Sequence, residues 1–268
     1  MTLAVLGALA AASAAADRAG SAGGAPAGGV SPSPTHYSPS PGESPSRTPK
    51  PPSPTHTEPL PPSPSSTPTP KPTVVKAPPI VNDLVPYGAT RKRQMAAYCR
   101  RHYGAAQATW VLKPKAVVLH YTAGGAYSSA HNYFSSNTPN LGELPGACAH
   151  FIIDKNGRIY RQLSTGVRCR HTIGLNYVAV GIEFVQEAGS GPTWACNQIF
   201  KRPRQINAGL RLVRWLRWKY KMPMRNVLGH GTANSSPLFK DLKGWRNDHV
   251  DWGAAAIARF RKKLAALK

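Results

Sequence analysis

Hydrophobic and polar residues follow two different spacings along the last two thirds of the chain. Short apolar runs bounded by turn residues indicate strands, whereas apolar residues three and four positions apart indicate helices. The first pattern predicts strands at residues 116–122, 149–154, 158–163, 178–185 and 224–230. The second predicts helices at residues 88–104, at residues 203–221 and from about Trp252 onward. Strands mixed with helices over one core predict an α/β or α+β domain.

Three of these segments carry further detail. The turn Lys155-Asn156-Gly157 lies between two runs rich in strand-forming residues, which predicts a β-hairpin. Residues 178–185, VAVGIEFV, are mostly apolar and are typical of a central strand buried on both faces. Residues 203–221 have an apolar stripe with arginines on the opposite side, as in a helix packed on a core.

The N-terminal third has a different composition. Residues 1–16 combine an apolar run with a small-residue cleavage pattern, which predicts a signal peptide, although no Lys or Arg precedes the run. An Ala-rich start without a targeting role is the alternative. Residues 17–83 are rich in Pro, Ser and Thr, which predicts a disordered, extended linker. The remaining residues, 84–268, are long enough for one domain with its own core.

The charge balance indicates the kind of partner. The chain has 34 Lys and Arg against 11 Asp and Glu, a net charge of +23, and such a field attracts polyanions. We expect no specific nucleic-acid partner, because no nucleic-acid motif is found and the start predicts export. Anionic cell-wall polymers fit an exported protein better. No segment predicts a stable membrane span, and four cysteines in an exported domain allow three disulfide pairings.

Polar residues interrupt or end three of the predicted strands. His120 lies within VVLHYT, Glu183 lies within VAVGIEF, and His230 ends NVLGH. A carboxylate in an apolar strand needs a reason, because burying it without a partner is costly. A single histidine in such a place is more often a packed core residue than a ligand. Together, however, these residues match catalytic zinc sites, in which a nearby carboxylate that is not a ligand acts as general base.

Four ordered motifs carry a resemblance to a known family: VVLHYTAGG, CAHFIIDKNGRIYRQL, CRHTIGLNYVAVGIEF and VLGHGTAN. Together they resemble the zinc-dependent N-acetylmuramoyl-L-alanine amidases, which include phage-type amidases and peptidoglycan recognition proteins. The resemblance implies a mixed central β-sheet flanked by helices and one Zn²⁺ per chain. It also implies a monomeric enzyme that acts on peptidoglycan, at the amide between N-acetylmuramic acid and L-alanine. A non-catalytic peptidoglycan-binding module of the same fold is the alternative.

The resemblance also assigns roles to individual residues. It makes His120 and His230 zinc ligands. Glu183 would take a proton from the attacking water and return it to the leaving L-alanine nitrogen. His171 and Asn176 would contact the substrate.

The third ligand departs from the family pattern, in which a Cys or Asp followed by Pro-Gly comes soon after the second histidine. Asp241 lies at nearly that distance but lacks Pro-Gly. Within WRNDHVDW, residues 245–252, Asp251 is one candidate, with His249 polarising the scissile carbonyl, and His249 itself is another. Residues two apart in an extended segment face the same side, so both could face the metal. Asp251 could also be the N-cap of a helix that begins at Trp252. A missing third ligand would favour the binding module.

Overall fold

The computed structural model describes residues 74–267. The predicted signal peptide, residues 1–16, and most of the predicted linker, residues 17–83, lie outside the described residues. The described part already contains a strand before residue 84, at Val81–Asn82, which pairs with a later strand. The last residues of the predicted linker therefore belong to the folded domain.

A single six-stranded sheet forms the centre of the described domain. Its order is β1-β4-β3-β5-β2-β6. The pair β3–β4 is antiparallel and the other four pairs are parallel, so the sheet is mixed. The antiparallel pair is the hairpin predicted from the Asn-Gly turn. The strands are β1 Val81–Asn82, β2 Ala116–Ala123, β3 Phe151–Ile153, β4 Ile159–Arg161, β5 Ala179–Glu187 and β6 Val227–Gly229.

The two central strands, β2 and β5, place two of the predicted site residues side by side. They run parallel, and His120 is in register with Glu183. Because paired residues of neighbouring strands project from the same face of a sheet, both side chains lie on one face. On the other side of β2, the pairing with β6 reaches Leu119 and Gly229. His230 therefore follows β6 directly beside His120.

Within the described part of the chain, five α-helices flank the sheet, three of them close to their predicted positions. The helices starting at residues 127 and 192 were not predicted. Among residues 74–267, none of the helices has the length and apolar character needed to cross a membrane. The helices are α1 Ala89–Tyr103, α2 Tyr127–Ser136, α3 Pro192–Phe200, α4 Pro203–Tyr220 and α5 Ala254–Ala265.

Each face of the sheet is covered by its own apolar contacts. On one face, Leu119 and Ile182 belong to the main core together with residues of α3, α4 and α5. The apolar stripe of α4 is the side of this helix that is buried in the main core. On the opposite face, α2 packs against Ile152 and Val185 in a second cluster. This second face is the one that carries His120 and Glu183.

Two of the four cysteines form a disulfide bond and the other two are free thiols. Cys148 and Cys169 form a disulfide bond, and Cys99 and Cys196 are free and buried. The disulfide joins the segment before β3 to the loop before β5 on the face that carries His120. Of the three pairings that the sequence left open, this bond is compatible only with the one that also joins Cys99 to Cys196, and that second bond is not formed.

Candidate active site

Three buried side chains converge at the end of the central strands. His120 comes from β2, His230 follows β6, and Asp251 lies in the turn before α5. The Nδ1 atoms of His120 and His230 are 2.9 Å apart. The Asp251 carboxylate lies 3.0 Å from Nδ1 of His230 and 3.5 Å from Nδ1 of His120. Two imidazole nitrogens and one carboxylate thus point at a common space.

The protonation of this group suits a metal ion. Burial, and then the neighbouring His230, lower the pKa of His120 to about 4, so its ring is neutral at physiological pH. Burial alone would raise the pKa of Asp251, but His230 and the hydrogen bonds of both histidines hold it well below its ordinary value. Neutral imidazole and ionised carboxylate are the forms that bind metals. All three groups lie within 4.8 Å of one another, and the donor set is one that zinc takes in catalytic sites.

Trp252 anchors the turn that carries Asp251. Its side chain is fully buried, and its indole Nε1 donates a hydrogen bond of 3.1 Å to the main-chain oxygen of His120. Trp252 has a φ of 50°, a left-handed conformation that is costly for a bulky residue and that the surrounding packing must hold. The turn also lies directly against Gly229, where a Cβ would collide with the carbonyl oxygen of Trp252. The position of Asp251 therefore depends on a tight contact with β6.

Two of the predicted alternatives for this region are wrong. Helix α5 begins at Ala254 and its N-cap is Gly253, so Asp251 does not cap it. Asp241 is not part of the convergent group, because its Oδ2 lies 2.8 Å from Nδ1 of the buried His102. Asp241 is thus engaged with α1, away from His120.

His249 lies at the edge of the group and not within it. Its side chain is 57% exposed, and its ring stacks on that of His230 with centroids 4.3 Å apart. Asn247 holds this arrangement, because its amide Nδ2 donates to the main-chain oxygens of His230 and His249. The segment therefore separates the two candidates: Asp251 faces inward and His249 faces solvent.

Glu183 is buried beside His120 without compensating contacts. It is 9% exposed, and its Oε2 has no hydrogen-bond partner among the described residues. Burial, and then the nearby charge of Asp251, raise the pKa of Glu183 well above its ordinary value. A buried carboxyl group with an unused oxygen and a raised pKa, next to a metal-binding group, is suited to proton transfer.

Asn176 is placed inside the protein and not at its surface. It is 2% exposed, and its Oδ1 accepts the backbone N–H groups of His171 and Thr172 at 2.8 and 2.7 Å. Its Nδ2 donates to the Tyr98 hydroxyl at 3.3 Å. The amide therefore stabilises the loop before β5. Because Asn176 is buried, its side chain is not exposed for contact with a substrate.

His171 and His150 both face the protein interior. His171 Nε2 lies 3.1 Å from the main-chain oxygen of Ala179, and its Nδ1 lies 3.2 Å from Nε2 of His120. His150 Nδ1 accepts the N–H of Gly181 at 3.0 Å and its Nε2 donates to a main-chain oxygen at 2.9 Å. Both nitrogens of His150 are used within the backbone, which gives it a structural role.

Sequence patterns missed the residues that support the candidate ligands. Thr172, Asn247 and Trp252 each contact a candidate ligand or its neighbour, yet none interrupts an apolar run or matches a spacing rule. Asn247 and Trp252 do belong to WRNDHVDW, so their nearness to Asp251 in sequence was the available signal.

Comparisons with known proteins bear on the same residues. A family model described as N-acetylmuramoyl-L-alanine amidase matches residues 110–253, more than half of the chain, and this range contains His120, Glu183, His230 and Asp251. A search of curated proteins found no match.

Several solved structures are similar to this chain. One is the N-acetylmuramoyl-L-alanine amidase LysCS from Clostridium intestinale URNW, at 18% identity, covering 72% of this chain and 99% of that chain with a TM-score of 0.44. A second is a mutant endolysin from Bacillus subtilis, at 19% identity, covering 57% of this chain and 83% of that chain with a TM-score of 0.39. By the family match, the chain belongs to the N-acetylmuramoyl-L-alanine amidases and is an amidase.

Proposed function

We propose that this amidase is a secreted zinc hydrolase of peptidoglycan. It cleaves the amide bond between N-acetylmuramic acid and the L-alanine of the stem peptide. The observation that carries the proposal is that the buried side chains of His120, His230 and Asp251 lie close together beside Glu183. A binding module lacking a ligand would not need this set, so catalysis is the better-supported function.

His120, His230 and Asp251 would hold one Zn²⁺ per chain. Two imidazoles and a carboxylate leave a fourth position open, as in catalytic zinc sites. Zinc bound there supplies a Lewis acid that lowers the pKa of water and polarises a carbonyl oxygen.

Glu183 acts as the general base. Its unpartnered Oε2 is available to take the proton of the attacking water and to return it to the leaving nitrogen of L-alanine. Burial, and then the charge of Asp251, hold the pKa of Glu183 above its ordinary value. A metal ion bound to Asp251 would weaken the repulsion between the two carboxylates and so favour the ionised form of Glu183.

His249 supplies a hydrogen-bond donor at the mouth of the site. Its exposed ring, stacked on His230, can reach the oxygen of a bound amide group. An N–H aimed at that oxygen stabilises the negative charge that develops there. We assign no substrate contact to Asn176, because its amide is used inside the protein.

Two features support action outside the cell. The disulfide between Cys148 and Cys169 suits an oxidising compartment. The net charge of +23 favours retention on anionic wall polymers next to the substrate. We propose that the protein works there as a monomer.

Incubation of the purified, zinc-loaded protein with intact sacculi tests the proposed function. We expect new L-alanine amino termini to accumulate, and a chelator to stop their release until zinc is restored. Zinc-loaded protein that releases sugar reducing ends or other amino termini, but no L-alanine, would contradict the proposed reaction.

A further inference from the structure

A chain of hydrogen bonds connects the backbone of β5 to the first candidate ligand. It begins at the main-chain oxygen of Ala179, which lies 3.1 Å from Nε2 of His171. A carbonyl oxygen can only accept, so Nε2 of His171 carries the hydrogen. In a neutral ring the other nitrogen, Nδ1, is then an acceptor.

The acceptor nitrogen of His171 faces His120. Nδ1 of His171 lies 3.2 Å from Nε2 of His120 and 2.8 Å from the Thr172 hydroxyl. The same hydroxyl oxygen is 3.3 Å from Nε2 of His120. Nδ1 of His171 has a single lone pair, so it accepts either from Nε2 of His120 directly or from the Thr172 hydroxyl, whose oxygen then accepts from Nε2 of His120. In both arrangements Nε2 of His120 carries a hydrogen, which leaves Nδ1 of His120 with its lone pair toward His230.

The ring of His171 is held firmly in this position. It lies against the backbone of Gly181, where a Cβ would overlap the ring atoms. The backbone N–H of His171 is bonded to Asn176 Oδ1 at 2.8 Å. Among the described residues no carboxylate pairs with either ring nitrogen of His171, whose contacts are with the Ala179 carbonyl, the Thr172 hydroxyl and His120.

We propose that His171 is a positioning residue that fixes His120 as the tautomer with hydrogen on Nε2, leaving Nδ1 free to bind zinc. This role replaces the substrate contact predicted for His171 from the sequence. It rests on the proposed function only in that His120 is a metal ligand. Hydrogen-bond partners behind a ligating histidine typically change metal affinity about 10- to 100-fold.

Zinc affinity of three variants tests this role, measured by competition with a chelator on the metal-stripped protein. We expect His171→Ala to bind zinc about 10- to 100-fold more weakly than the wild type. His171→Asn should recover most of the affinity, because its amide oxygen can take the place of the Nδ1 acceptor. The matched control is His131→Asn, on α2, whose Nδ1 contacts Gln162 and none of the site residues. It should bind zinc like the wild type.

Nitrogen NMR of the metal-stripped protein supplies a readout that is independent of activity. The wild type and His171→Asn should show His120 with hydrogen on Nε2, and His171→Ala should show the other tautomer or a mixture. Unchanged zinc affinity in His171→Ala, with a raised KM for sacculus fragments, would overturn the proposal and restore the substrate contact. If His171→Ala does not fold, loss of the Nε2 hydrogen or of zinc affinity in folded His171→Asn would overturn it.

The wild type separates this inference from the proposed function. A wild type that binds no zinc, or binds it without releasing L-alanine termini, contradicts the proposed function. A wild type that does both, alongside a His171→Ala variant with full zinc affinity, contradicts the positioning role alone.

Discussion

Glu183→Gln removes the charge of a side chain that is 9% exposed and whose Oε2 accepts no hydrogen bond, while it keeps the shape of the residue. The pKa of Glu183 is raised in the folded protein, so the folded state favours the protonated form. The stability that this proton contributes is complete below the ordinary glutamate pKa of about 4.3. It is lost as the pH rises through the raised, folded-state value. The metal-free variant should therefore be more stable than the wild type at high pH and similar to it at low pH.

The size of both effects follows from the contacts of Glu183. An ionised carboxylate without a partner costs more to bury than a neutral amide in the same place, by roughly 1–3 kcal/mol. For a domain of this size, 1 kcal/mol corresponds to about 2–4 °C in Tm, which gives a rise of roughly 2–12 °C. A general base contributes about 10²- to 10⁴-fold to the rate, so kcat should fall by that factor in the zinc-loaded variant.

Two measurements on the same preparations check these values. Thermal unfolding with chelator, from about pH 5 to pH 9, gives the stability of the wild type and the variant, and release of L-alanine termini gives the rate. Glu187→Gln is the matched control on the same strand. Glu187 is 47% exposed and pairs with Lys155 at 2.7 Å, and such surface pairs contribute about 0–1 kcal/mol.

Two results would refute the reasoning. A Glu183→Gln variant that turns over like the wild type would remove Glu183 from proton transfer. A variant that is less stable than the wild type at pH 9 would show that the carboxylate is stabilised in the fold, contrary to its raised pKa.

Three further predictions test the rest of the site. Asp251→Ala should lose bound zinc, whereas His249→Ala should keep zinc and lose turnover. Metal content and reaction rate of the two variants check this, and the reverse pattern would exchange the roles of the two residues. Gly229→Ala should cost about 1–3 kcal/mol in chemical denaturation, because its new methyl group collides with a main-chain oxygen, and an unchanged midpoint would contradict that contact. The disulfide Cys148–Cys169 closes a separation of 21 residues, so reduction should lower stability by about 3 kcal/mol, and a Tm insensitive to reductant would argue against it.

The sequence was sufficient where the signal is local. The strands that carry His120 and Glu183 are apolar runs, and a polar residue inside such a run is conspicuous. The mixed sheet flanked by helices, implied by the family resemblance, is confirmed. Helix α2, YSSAHNYFSS, was missed because only Ala130 and Phe134 of it are buried, too few to show a helical stripe.

The choice between Asp251 and His249 could not be made from spacing. An extended segment would place both side chains on one side, but the chain turns at residues 251–252, where Trp252 has a φ of 50°. That conformation follows from burial of the Trp252 ring against Phe184 and Phe260, which are distant in sequence. The direction of Asp251 is therefore a tertiary property.

The three convergent side chains come from segments far apart in the chain, and His120 and His230 alone are separated by 110 positions. A metal ion held by all three would act as a reversible cross-link between two strand ends and the turn before the last helix. Such a link stabilises the folded state in proportion to the logarithm of free metal concentration. Resistance to heat and to proteases would then vary with the zinc supply of the surroundings, so free zinc would set the working lifetime of the enzyme as well as its activity.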